Sequence, residues 1–168
     1  MATPAPRLRA YLTHLLARPV ARLPWLAGRL AVSLALLTGA GLTAGLFTWA
    51  GAAATGAGLS FATMLAAGVN VIPAGIFVLG IGTLVHGLAP RFAVTAAYAI
   101  IAWSFLVEII GANLGVSRWL LDTSVLHHIA RAPATAVRWD SAAILVAIGI
   151  AAAVAGAAAF ARRDRAGT

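Results

Sequence analysis

Glu108 is the one acidic side chain inside a long apolar run of this sequence, since Asp122, Asp140 and Asp164 all lie outside such runs. An ionised carboxylate is expensive there: at mid-bilayer it costs at least about 2.5 to 3.5 kcal/mol on insertion scales. Two functional roles suit it, a contact on an export route or a latch to a neighbouring segment. Two structural ones are also open, a carboxylate reaching interfacial water or pairing with Arg118. Downstream stand the adjacent histidines His127 and His128. Neighbours in a helix point about 100 degrees apart and do not readily share one ion. Zinc sites want several ligands at three- or four-residue spacing with a second shell, and only Asp122 is near in sequence. No metal site is therefore expected. An intramembrane enzyme built on Glu108 with His127 or His128 would require those groups to converge in the fold.

Other chemistries are missing their residues. The chain has no cysteine, so it holds no disulfide, thiol nucleophile or thiolate metal site. All twelve basic residues are arginine, which removes the Walker A lysine and the Schiff-base lysine. There is no G-x-S-x-G elbow, no H-E-x-x-H, no pair of membrane acids and no glycine-rich phosphate loop with its lysine. The expectation is a non-enzyme with no cofactor, and any ATP-driven work falls to another chain.

The elements that hold these residues follow from composition. The 168 residues are 62% hydrophobic and 10% charged, with a mean hydropathy of +0.96. A soluble domain carries about a quarter charged residues, so the chain is expected to sit in a lipid bilayer. Residues 30–85 contain no ionisable side chain. One span needs about 20 apolar residues, so that stretch must turn back. Counting apolar length predicts an all-α, polytopic membrane domain over 30–161 with four transmembrane helices at 30–50, 61–85, 92–114 and 141–161. It is flanked by a basic segment, 1–29, and a tail, 162–168.

Nine arginines lie in the N-terminal segment, at 86–91 and in the tail, against Arg118, Arg131 and Arg138 on the opposite side. Basic residues accumulate on the cytoplasmic face, so both termini are expected in the cytoplasm. The net charge of +8 does not point to nucleic acid, because the arginines are spread as topology signals and form no single patch. In 1–29, Arg7, His14, Arg18, Arg22 and Arg29 recur at near-helical spacing beside an apolar face broken by Pro19 and Pro24. That pattern suits an interfacial helix against anionic lipid or a partner, or a basic anchor that only fixes orientation.

Counting from Arg91 at about 1.5 Å per residue places Glu108 about 25 Å up a helix that crosses a core about 30 Å thick. It belongs near the outer boundary. Beyond it, 115–140 is amphipathic and too short to span, with Trp119 and Trp139 suited to the outer aromatic belt. It either lies on the outer leaflet or re-enters it. Asn70 and Pro73 mark a kink in the second span that neighbouring groups must satisfy, with substrate contact as the alternative role. Gly41 with Gly45, and Gly111 with Gly115, have the spacing that lets helix backbones approach.

Three stretches, in order, resemble a known family. Thr3-Pro4 with Arg7 is similar to the T-P-x-x-R stretch in the cytoplasmic loop of ABC-2 type transporter permeases. Gly115 to Asp122, continuing through Ser124, Leu126 and His127 to Pro133, resembles their external segment before the last helix. Phe160 to Asp164 resembles their F-x-R-R-D close. The likeness is strongest to the branch of polyketide-antibiotic exporters. It implies a permease in a bacterial plasma membrane that exports hydrophobic or amphipathic compounds, partnered by an ATP-binding subunit and by further permease helices or a second permease chain. It also implies coupling to the ATPase through Thr3, Pro4, Arg7 and Arg9. The outer gate or path would include Glu108, Trp119, Asp122 and His127. Such permeases have six helices per half, so four spans correspond to the loop and the last four helices. The alternative from the residues alone is an accessory or structural four-helix membrane protein without transport.

Overall fold

The computed structural model describes residues 22–114, 117–130 and 132–163. Thr3, Pro4, Arg7 and Arg9 lie outside the described residues, as do most of the basic segment, Gly115 and Arg131. All regular structure among the described residues is helical: α1 Arg22–Ala54, α2 Phe61–Val69, α3 Ile72–Leu88, α4 Ala93–Leu114, α5 Arg118–Asp122 and α6 Trp139–Arg163, with short 3-10 turns at Pro90–Phe92 and Leu126–His128. Four helical stretches are long and apolar enough to cross a membrane: Pro24–Ala54, Phe61–Leu88, Pro90–Gly111 and Trp139–Arg162. The all-α, four-span expectation holds.

The first helix is longer than its apolar core. Residues 22–29, grouped by charge with the basic segment, are helical and continuous with the span. At about 1.5 Å per residue the 33 residues of α1 reach about 50 Å, well past the hydrocarbon on at least one side. It ends at Gly56, whose φ of +68° only glycine adopts without strain. Gly56 N–H donates to the Ala53 carbonyl and Ala57 N–H to the Ala52 carbonyl, which satisfies the last carbonyls of the helix. Ser60 then caps α2, its hydroxyl accepting from the Thr63 amide at 3.2 Å.

The second span is broken where Asn70 and Pro73 indicate. Pro73 sits in the first turn of α3, where its missing N–H is tolerated. Asn70, buried at the break, donates from Nδ2 to the Ala130 carbonyl at 2.7 Å, so the stretch before α6 supplies a partner at the kink.

The most extensive packing joins α3 and α6. Both follow an odd number of reversals and run in the same direction, so residues 69 positions apart face each other: Gly80 against Gly149 and Gly87 against Gly156. A Cβ at Gly80 would overlap the Gly149 carbonyl, and one at Gly87 the Gly156 carbonyl; at Gly149 it would lie 2.7 Å from the Ile76 oxygen. Apart from Ser141, the buried positions of α6 follow the same seam, Ala142, Leu145, Gly149, Ala152 and Gly156, in alternating steps of three and four. That is the seven-residue period of a left-handed helix pair, here filled with small side chains. A second close approach seats α2 on α1, with Gly68 against Gly41 and Gly45. Gly41 and Gly45 are thus helix-packing residues within the chain.

Candidate functional site

Between α3, α4 and α6 the chain does not stay on the surface. The stretch 123–130 dips into the bundle, where Val125 packs with Ala74 and Leu145 against Phe77, Ile100 and Ile129. Ser104, which contacts it, lies ten residues before the end of α4, about 15 Å below it. The stretch 123–130 is therefore re-entrant with respect to the helical bundle, folding in between the helices instead of lying across their ends.

Non-helical backbone at that depth survives only where its polar groups are satisfied. Ser104 and Ser124, both fully buried, do this reciprocally: the Val125 amide donates to Ser104 Oγ at 3.1 Å, and Ser124 Oγ donates to the Ser104 carbonyl at 3.2 Å. Trp103 Nε1 donates to Thr123 Oγ1 at 3.0 Å, and Thr123 Oγ1 donates to the Leu120 carbonyl. One face of α4, carrying Trp103, Ser104, Val107 and Glu108, thereby holds the segment.

Glu108 completes that face. Its Oε1 atom is buried and lies 3.4 Å from His127 Nδ1, with 25% of the Glu108 side chain and 34% of His127 accessible. The re-entrant segment thus supplies a partner through His127. His128 turns elsewhere: its Nδ1 lies 2.9 Å from the Ser124 carbonyl, the geometry of a ring N–H donating to that oxygen. The two imidazoles stand nearly perpendicular, 6.3 Å between centroids. Glu108 and His127 converge; His128 does not join them. Among the described residues no group of three or more metal-ligating side chains is assembled. Trp119 and Asp122 are exposed on α5, away from the Glu108 pocket.

Two cavities meet at the tip of this segment. The larger, of about 840 Å³, is a cleft between α1, α3 and α4, apolar over most of its wall. It extends from Trp25, Arg29 and His86 at one end to Ser104, Val125 and Leu126 at the other. Its size is that of a pocket for a drug-sized molecule. The other, of about 530 Å³, holds Glu108, His127, Thr135 and Arg138. Leu126 lines both.

The sequence motifs did not mark Tyr98, the meeting of Arg29 and Leu126 in one cleft, or the Ser104–Ser124 clasp. For Ser104, a polar residue isolated in an otherwise apolar helix was the available signal.

No curated protein and no solved structure matches the chain. One family model does, over residues 9–161, well over half the sequence; it is described as multidrug efflux system permease Rv1217c, C-terminal domain. With four apolar helices long enough to span a bilayer and a match across nearly all of them, the chain belongs to this family of efflux permease C-terminal domains.

Proposed function

We propose that this permease works in an ATP-driven exporter of the ABC-2 type and moves hydrophobic or amphipathic compounds out of a bacterial cell. The observation that carries this reading is the apolar cleft between α1, α3 and α4 in a chain of the efflux-permease family. Such a surface takes up lipophilic molecules through burial of their apolar area and offers few groups to hold a sugar or an inorganic ion.

The chain supplies the path and a separate ATPase subunit supplies the work, consistent with the absence of lysine and of a phosphate loop from the sequence. Thr3, Pro4, Arg7 and Arg9 transmit the motion of that subunit. The basic segment, 1–29, and the tail, 162–168, face the cytoplasm, so the end bearing Trp25, Arg29 and His86 is the inner one. The re-entrant segment, held by Glu108 and His127 and flanked by Trp119 and Asp122, forms the outer gate. Further permease helices or a second permease chain complete the cavity.

The reading is tested by co-expressing the full transporter gene set and following efflux of a lipophilic dye. Export that requires the ATPase and falls when Arg7 and Arg9 become Ala supports it. A stable complex free of any nucleotide-binding subunit, with no export, would instead favour an accessory membrane protein.

A further inference from the structure

The cleft carries its charge at one end only. Arg29 lines that end with its guanidinium 4.9 Å above the ring of Trp25, and His86 lies on the facing wall with its ring 5.7 Å from Phe160. No acidic residue among the described residues lines the cleft. Arg29 pairs with no carboxylate among the described residues. Ser33 lies one turn beyond Arg29 on the same wall, and Tyr98 faces it from α4.

We infer that the cleft is a binding site for lipophilic organic anions, with the anionic group at Arg29 and the apolar body running toward Leu126. The inference rests on the efflux reading and names the substrate class. An acyl chain of a membrane lipid would leave the hydroxyls of Ser33 and Tyr98 without function, whereas a compact molecule with polar groups along its body uses them. The occupant is accordingly a diffusible amphipathic anion.

Two features make the site testable. Gly82 lines the cleft, and a Cβ there meets nothing within 4 Å, so Gly82→Leu projects a side chain into the cleft and narrows it. Arg91, over the ring of Phe92, follows α3 at the same end of the bundle as His86 but does not line the cleft. It therefore controls for interfacial charge in general.

The experiment measures binding of dansyl-aminohexanoate and its neutral methyl ester to the purified full chain in phosphatidylcholine nanodiscs. Arg29→Gln is expected to weaken the carboxylate about tenfold, the loss of one charge-assisted contact, and to leave the ester unchanged. Arg29→Lys should retain most of the affinity, Arg91→Gln should change neither probe, and Gly82→Leu should weaken both. Equal losses from Arg29→Gln and Arg91→Gln, equal losses of acid and ester in Arg29→Gln, or no effect of Gly82→Leu would overturn the proposal. So would abolition of the Arg29-dependent binding when phosphatidylglycerol replaces phosphatidylcholine, which assigns the end to lipid headgroups. The same probes in cellular efflux separate the two claims: a wild-type system that exports neither counts against the efflux reading, while the binding results still decide the site.

Discussion

Asn70 and Ala130, sixty residues apart, are joined by a hydrogen bond of 2.7 Å from the side-chain amide of one to the carbonyl of the other. The break in the second span and the re-entrant segment are thus one construction: the helix opens where a polar side chain is needed to hold the segment down. Asn70→Ala should free the Ala130 carbonyl and destabilise the segment by about 1 kcal/mol. Amide hydrogen exchange across 123–130 is expected to accelerate, with α6 unaffected. Unchanged exchange would mean that the serine clasp alone positions the segment.

Glu108 and His127 form the second tie. A double-mutant cycle with Glu108→Gln and His127→Ala, read as membrane-protein unfolding, should give a coupling of about 1 kcal/mol, as expected for a partly accessible polar contact. Additive losses would show that the two side chains are neighbours without an energetic link. His128→Ala paired with Glu108→Gln should be additive, because His128 faces the Ser124 carbonyl.

The glycine seam makes a graded prediction. Gly80→Ala and Gly156→Ala place a Cβ against backbone that has no room to move, so each should destabilise the α3–α6 pair by about 1 to 3 kcal/mol. Gly82→Ala, on α3 in open space, should be neutral or stabilising by up to about 1 kcal/mol. Equal effects at Gly80 and Gly82 in thermal or denaturant unfolding would remove the seam from the account.

Four spans were legible because apolar length is a strong signal, and the kink because Asn and Pro within one turn leave few alternatives. Gly41 and Gly45 also read correctly as packing residues. The α3–α6 seam was not legible. In helices apolar all round, amphipathic contrast vanishes, and seven-residue spacings are lost among 17 glycines. The Ser104–Ser124 clasp was hidden because serine in a helix ordinarily bonds its own preceding turn. Glu108 was legible as a carboxylate in need of a partner, but His127 lay in a segment whose path depends on three helices. The cleft joins residues from 25 to 126, a juxtaposition that no local spacing encodes.

The topology can be read directly, since the chain has no cysteine of its own. Single cysteines in place of Ala57 and Ala134 should react with a membrane-impermeant maleimide in intact cells. One in place of Ala89 should react only after lysis. The reverse pattern would invert the orientation and move the anion-selective end of the cleft to the outside.

The central claim is that the cleft between α1, α3 and α4 is the surface on which exported compounds travel. Its most direct test is dye efflux from cells carrying the complete system with Gly82→Leu, at membrane abundance matched to wild type. The account predicts that efflux falls to the level of an ATPase-inactive control while the variant stays folded. Efflux at the wild-type rate through a narrowed cleft would contradict it.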